Sequence, residues 1–397
     1  MKGRTLLMIP GPIEFEPEVL AALGAPTTSH VSPDFIEEFG QALERTRDVF
    51  LCPDGQPFVV AGSGTFAMEL AGANLIEPGD RALVVNIGYF SDRFGALLER
   101  YGARVTHVRA AQLGDRPSLE DVENALSHER YKLMTVTHVD TSTGVLTDVK
   151  GLAELARRFD TLIVVDGVCS VAGEELRMAD WGVDVVLTAS QKAISVPPGL
   201  ALVMAGPRAM AAFRARRSPV ASYYADWGNW LSIMEAYEAR KSSYFGTPAV
   251  NLVCALNVSL RQILDEGMEV RFRRHRALGV AAQKAISALG LGQIPVNSEA
   301  AAHTMTAPRY PPGVTGTMFL PLVQAAGVTL AGGLHPDARN DYFRIGHMGP
   351  TKVGDLLATF GAVENGLHRC GHPFDLGAGL AAAQAGYYEV MNGGGKS

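Results

Sequence analysis

Apolar positions along the chain recur in two alternating rhythms. Residues 34–50 carry Phe35, Ile36, Phe39, Leu43 and Val49 at helical spacing, and Pro53-Asp54-Gly55 ends the pattern. Short apolar runs without that spacing follow at 58–60 and, after the Pro78-Gly79-Asp80 turn, at 81–85; both read as buried strands. The spacing then predicts a helix over 94–101 closed by Gly102, a strand over 104–108, and a helix over 119–126 with Ser118 as N-cap. Further strands are predicted over 133–137, 162–165, 183–188 and 200–204, with a helix over 149–159 between the first two. Strands rich in Val, Ile and Leu, separated by amphipathic helices, predict an α/β domain whose mostly parallel sheet is covered on both faces.

The character changes after residue 260. Residues 256–289 read as one long helix stopped by Gly290. Its basic run, Arg271-Phe272-Arg273-Arg274-His275-Arg276, reads as a solvated face. Strand-like pieces at 303–307, 328–330 and 342–345 and a helix over 353–367 predict a smaller α+β domain. The expected organisation is an N-terminal segment over 1–20, a large domain over 21–260, a small domain over 261–370 and a Gly/Ala-rich tail over 371–397, loosely docked.

Composition narrows the function classes. The chain has 397 residues, enough for two or three domains, with 47% apolar and 19% charged residues, which excludes a disordered chain. Charge sums to 35 − 41 = −6, against a nucleic-acid partner. No apolar run reaches the ~18 residues of a membrane span, and the start lacks a secretory pattern. The final residues, GGGKS, are not a Ser-Lys-Leu address, so a cytoplasmic protein is expected. Cys52, Cys169, Cys254 and Cys370 are scattered, which fits neither a metal cage nor a disulfide framework.

The sequence contains neither GxxxxGK[ST] nor HExxH. Gly62-Ser63-Gly64 is half a dinucleotide fingerprint, but Ala67 replaces its third glycine and Val85-Asn86 offers no acidic residue for a ribose. What remains is a helix opening at Ser63, Gly64 and Thr65, which either faces an anion or is simply capped. Asp166 ends a buried strand, where it needs a cationic or hydrogen-bonding partner or caps the next turn. Lys192 follows another strand after Ser190-Gln191. Desolvation there makes it a nucleophilic amine; on an ordinary loop it is a surface lysine. The combination is more specific than its parts. An anion site, an Asp for a pyridine nitrogen and a Schiff-base Lys are what pyridoxal 5'-phosphate requires. Tyr89 and Phe90 supply rings to stack on it, although both also suit a core.

The ordered motifs PGP (10–12), AGSGT (61–65), GYFSDRF (88–94), THVDTSTG (137–144), VVDGVCS (164–170), TASQKA (188–193), YFGTP (244–248) and RIGHMG (344–349) extend the argument. Up to about residue 370 the chain resembles the class V, fold-type I aminotransferases, most of all the alanine:glyoxylate and serine:pyruvate group and its fungal-type members. The resemblance implies a seven-stranded sheet and a pyridoxal-phosphate transaminase. Lys192 is its Schiff-base residue and proton carrier, and Asp166 pairs with the pyridine nitrogen. Ser63, Gly64, Thr65 and Gln191 hold the phosphate, joined by Tyr244 and Thr247 from the other subunit of a homodimer. Phe90 stacks on the ring, where animal members carry Trp; they carry His in place of Thr65. Thr141 contacts the cofactor hydroxyl, Arg344 clamps the substrate carboxylate, and Pro10 and Gly11 lie over the substrate. No metal is implied. The implied reaction is ping-pong transfer from alanine or serine to glyoxylate or pyruvate. Pyridoxamine:pyruvate and serine:glyoxylate transfer are the nearest alternatives. A lyase such as a cysteine desulfurase needs a reactive thiol, for which Cys370 is the candidate, and a non-enzymatic cofactor binder is a third reading. The aromatic-rich stretch from Trp227 to Tyr237 suits a dimer interface core or, alternatively, packs within its own domain.

Overall fold

The strands predicted for the first half of the chain assemble side by side. A computed structural model describes residues 5–393. In chain order the first eight strands are β1 (Leu6–Leu7), β2 (Gln56–Ala61), β3 (Arg81–Asn86), β4 (Arg104–Arg109), β5 (Leu133–Thr137), β6 (Leu162–Asp166), β7 (Val185–Ala189) and β8 (Leu200–Ala205). All but β1 form one seven-stranded sheet in the order β2-β8-β7-β6-β5-β3-β4. Only β8 runs antiparallel to its neighbours. Every residue of β5, β6 and β7 is buried, as expected of strands covered by helices on both faces.

Register decides where the chemistry goes. Thr137 lies opposite Asp166, and Asp166 lies opposite Leu187. The carboxyl ends of β5, β6 and β7 therefore form one row, and the segments that follow them emerge at one edge, where open α/β sheets bind ligands.

The C-terminal part of the chain adds β9 (Met305–Thr306), β10 (Val328–Thr329), β11 (Ala331–Gly332) and β12 (Phe343–Gly346), with β12 between β11 and β9. It has its own core around Phe319, Phe343 and Phe360. The N-terminal segment is threaded through it. Strand β1 pairs parallel with β10, and the Gly346 amide donates to the Met8 carbonyl at 2.9 Å. A Cβ on Gly346 would fall 2.2 Å from the Ile9 oxygen, so only glycine lets the two backbones pass.

Four sequence expectations give way to tertiary packing. The helix expected over 256–289 is two helices, Val250–Glu266 and Met268–Ala288, broken at Gly267 with φ +81°. Of the basic run only Arg273 and Arg276 are exposed. Arg271 and His275 are buried, because the second helix packs against the loops that follow β6 and β7 as well as facing water. Trp227, Trp230 and Tyr237 are buried in their own chain rather than presented to a partner; Trp227 stacks on Phe58 at 5.1 Å and Tyr237 packs on Phe39 at 4.7 Å. The tail is a docked helix, Ala378–Gly393. Its glycines allow close approach: a Cβ on Gly386 would lie 3.0 Å from the Ala281 Cα. Among the described residues no helix is long and apolar enough to cross a membrane.

Candidate active site

Lys192 leaves the end of β7 on a loop tied back to the sheet. Ser190 Oγ donates to the Pro197 carbonyl at 2.8 Å and accepts from the Leu200 amide at 3.1 Å. The lysine is only 9% exposed, and its Nζ donates to the Pro10 carbonyl. Burial pushes its pKa down, and the nearby Arg344 charge pushes the same way; Cys169 and Asp166 oppose. The roof above it requires glycine. Gly11 sits at φ +97°, and a Cβ there would come within 2.6 Å of Lys192 Cδ.

Asp166, one strand over, is 2% exposed. Among the described residues only the Val168 amide hydrogen-bonds its carboxylate, at 2.9 Å. Burial pushes its pKa up to about 7, and the Asp140 charge adds to that, while Lys192 and Arg93 oppose. A carboxyl held this way ionises readily only when a cation or a strong donor arrives beside it.

Asp140, at the end of β5, was not foreseen as a site residue. It is fully buried and accepts from the Ser142 amide at 2.8 Å, Ser142 Oγ at 2.6 Å and the Phe90 amide at 2.9 Å. It therefore caps the helix Tyr89–Arg100, which begins five residues before the predicted start. That places Phe90 on the first helical turn and fixes its backbone. A Cβ on Gly88 would lie 2.7 Å from Asp140 Cγ, which explains the glycine. The sequence did carry a signal for this: Asp140 with Ser142 two residues on is an Asx-turn pattern.

The helix Gly64–Leu75 opens at the same edge. Ser63 caps it, accepting from the Phe66 amide at 3.4 Å. A Cβ on Gly64 would meet Val168 at 3.0 Å and Ala189 at 3.3 Å, so this N-terminus abuts the ends of both β6 and β7. Its early N–H groups have no partner within the helix and form an anion-binding end. Thr65 Oγ1 accepts from Arg93 Nη1 at 2.9 Å, and the Arg93 guanidinium lies 4.8 Å from the Phe90 ring centre and 5.0 Å from that of Tyr89. Arg93 is a second cation at the site. The i, i+4 spacing from Tyr89 becomes readable only once the helix is started at Gly88. Gln191 Oε1 is buried with no hydrogen-bond partner.

Arg344 comes in from β12. Its Nε donates to the Gly332 carbonyl at 2.8 Å and its Nη1 to the Thr141 carbonyl at 3.1 Å. No carboxylate pairs with it among the described residues, and burial lowers its pKa. A half-buried guanidinium held by carbonyls is a receptor for an anion. Thr141 is buried beside it. Tyr244 and Thr247 are not brought to this edge. Both are exposed, with Tyr244 against His30 at 5.5 Å. The four thiols argue against a cysteine nucleophile, since burial pushes each pKa up. Cys370 merely caps the helix Val353–Arg369, away from the sheet edge.

The site thus joins a buried amine, a carboxyl that can hold or release a proton, an anion-ready helix end and an unpaired guanidinium. The family described as Aminotransferase class-V matches residues 18–338. The chain is 40% identical over 370 residues to alanine–glyoxylate aminotransferase 1 of Saccharomyces cerevisiae, covering 90% of this chain and 95% of that protein. It is 32% identical over 388 residues to the serine–glyoxylate aminotransferase of Arabidopsis thaliana, covering 96% and 94%. Its structure is similar to the crystal structure of an alanine–glyoxylate aminotransferase from Nostoc sp., with a TM-score of 0.86, 30% identity and coverage of 92% and 96%.

The Asp166 environment has a consequence for the cofactor-free protein. Its folded pKa, about 7, lies above the ordinary 3.8, so below about pH 4 the carboxyl is protonated in both states and costs nothing. As pH rises towards 7 the unfolded chain ionises first, and this contribution to stability is lost. Asp166→Asn should remove that decline. Urea unfolding of both proteins between pH 4 and pH 8 checks it; parallel pH profiles would show that Asp166 ionises freely.

Proposed function

The chain belongs to the class V aminotransferases, and on that premise we propose that it transfers the amino group of alanine or serine to glyoxylate or pyruvate, with pyridoxal 5'-phosphate as cofactor. The observation that carries this reading is the Lys192 amine and the Asp166 carboxyl, both buried, at neighbouring strand ends beside an anion-binding helix N-terminus.

The residues fit the cofactor. The Ser63, Gly64 and Thr65 end of the helix and the side chain of Gln191, whose Oε1 is an orphaned buried atom, suit its phosphate. The Phe90 ring suits its flat face, Thr141 its ring hydroxyl and Asp166 its ring nitrogen. Bound there, the cofactor supplies an aldehyde that captures amines reversibly and a ring that draws electrons from the adjoining carbon.

The protein's own contribution follows from the geometry. Asp166, ionised by a cationic partner, holds the proton on the ring nitrogen. Burial lowers the Lys192 pKa, which favours its amine as the group that moves a proton to or from the donor's Cα as general base and acid. Arg344 forks the substrate carboxylate and thereby aims Cα at Lys192. Pro10 and Gly11 close over the amine and exclude water. Arg344 has no competing carboxylate, whereas Arg93 is engaged by Thr65 and Tyr89. One available guanidinium suits substrates with one carboxylate. The named relatives share glyoxylate and differ in donor, alanine or serine.

The same reading calls for a homodimer. Tyr223 is 80% and Tyr244 66% exposed, and with Tyr224 and Phe245 they form an aromatic surface that a second copy would cover. Tyr244 and Thr247 then complete the partner's phosphate site.

Three outcomes test these assignments. The purified protein should transaminate glyoxylate or pyruvate from alanine or serine, and Lys192→Ala should lower turnover at least about 100-fold. Ordinary turnover in that variant, or none in the parent with any of these pairs, defeats the proposal. Arg344→Ala should cut kcat/KM roughly 30- to 1000-fold for every carboxylate substrate, with Arg344→Lys recovering only part, since a lysine keeps the charge but not the fork. A change within about threefold would place the carboxylate elsewhere. Mixing Lys192→Ala subunits with a Thr247→Asp variant, itself impaired at the phosphate, should restore some activity in hybrids; an active monomer in sedimentation would rule out shared sites.

A further inference from the structure

Two loops set the geometry around Lys192. One leaves β6 after Asp166, and the other leaves β7 and carries Lys192. Each contains a non-glycine residue in the left-handed region, Ala172 at φ +62° and Ser195 at φ +64°. Such residues persist only where their surroundings hold them.

One side chain holds both loops. Arg271, on the helix Met268–Ala288, is 4% exposed. Its Nε donates to the Ala172 carbonyl at 2.7 Å, and its Nη2 donates to the Ala193 carbonyl, next to Lys192, at 2.8 Å. Its Nη1 donates to Glu266 at 2.7 Å, across the break between the two helices. Glu266 is shared with Arg274, whose Nη1 and Nη2 donate to the carbonyls of Thr351 and Gly349 at 2.8 and 3.0 Å. The next residue continues the frame. His275 Nε2 accepts from the Gly349 amide at 3.0 Å, and its Nδ1 donates to the Arg271 carbonyl at 2.8 Å. The Lys192 loop has one other tether from these helices, Ser259 Oγ to the Ile194 carbonyl.

We propose that Arg271 is a positioning residue, which locks the Asp166 loop to the Lys192 loop and so presents the Lys192 amine at a fixed, dry place beside Asp166. The kinetic part of this rests on the transaminase reading; the structural part does not. The fork is essential to it. A lysine ammonium has one nitrogen and cannot reach both carbonyls in the directions that Nε and Nη2 do. Among the described residues the titratable groups beside Arg271 are Glu266, Arg274 and His275, and those beside Lys192 are Cys169, Arg344 and Asp166, so Arg271 acts on the amine through the backbone. Glu266 keeps Arg274 when Arg271 is replaced, so a substitution leaves no unpaired buried carboxylate.

The test uses Arg271→Lys, which preserves charge, with Arg271→Met and Ser259→Ala. In the cofactor-free protein, trace acetylation of Lys192 by acetic anhydride is followed against pH by peptide mass spectrometry. Arg271→Lys should raise the labelling midpoint of Lys192 by about one pH unit as the loosened loop admits water. Arg271→Met should raise it at least as far, and Ser259→Ala less. With pyridoxal phosphate and an amino donor, kcat should fall on the order of 100-fold in Arg271→Lys, as expected for a displaced reacting group. The donor KM should stay within about threefold, because Arg344 is untouched. An unchanged midpoint in Arg271→Lys overturns the proposal, even if kcat or the melting temperature falls. If Arg271→Met does not fold, Arg271→Lys decides alone, and a parental midpoint in it overturns the proposal. If the parent itself does not transaminate, the proposed function fails while the labelling midpoints still settle the role of Arg271.

Discussion

Burying an amine and a carboxyl at neighbouring strand ends without letting them pair directly is the constraint on which the rest of this structure depends. Two ionised groups deprived of water are costly unless each is compensated. Here neither receives a full counter-ion. Lys192 is given the Pro10 carbonyl and Asp166 the Val168 amide. Both pKa values therefore drift towards neutrality, the lysine down and the carboxyl up to about 7. The parallel register of β5, β6 and β7 imposes the arrangement, because it brings Thr137, Asp166 and Leu187 into one row.

The C-terminal strands and the N-terminal segment close that row from above and are paired to each other. Strand β1 is paired to β10, and Gly346 at the end of β12 lets the backbone at Ile9 pass over it. Arg344 lies on β12 itself. The roof over Lys192 and the guanidinium beside it therefore share a support. From below, the Arg271, Glu266 and Arg274 network links the loops of Asp166 and Lys192 to the turn at Gly349 that follows β12. The amine is held between two frames that meet at this turn.

Where sequence and structure differ, the cause is packing on more than one side. A helical period identifies the face turned to the nearest core and cannot register a second neighbour. The run from Arg271 to Arg276 looks like a wet face by charge alone. Arg271 is dry because Glu266 and two loop carbonyls satisfy it, and His275 because the Gly349 amide and the Arg271 carbonyl do. The aromatic stretch from Trp227 to Tyr237 looks like interface by composition, yet Phe58, Phe39 and Phe35 cover it from within. The tail looks loose because Gly and Ala carry little apolar surface. Their small size is what allows its helix to dock against Ala281 and Leu289.

By itself the sequence determined the alternation of strands and helices, the strand ends that deliver Asp166 and Lys192, and the helix opening at Ser63. These are local properties, since strand length, caps and turns are written within a few residues of one another. The resemblance carried in its eight motifs extended this to Arg344, Phe90 and Thr141. Only the tertiary structure decided the rest: that Asp140 caps the helix bearing Phe90, that Arg93 joins Thr65, that Gly11 presses on Lys192, and that Arg271 spans two loops. Tyr244 and Thr247 are exposed in the single chain. The physical reason is common to all of these. Desolvation and hydrogen-bond satisfaction depend on every group around an atom, and those groups come from other segments of the chain.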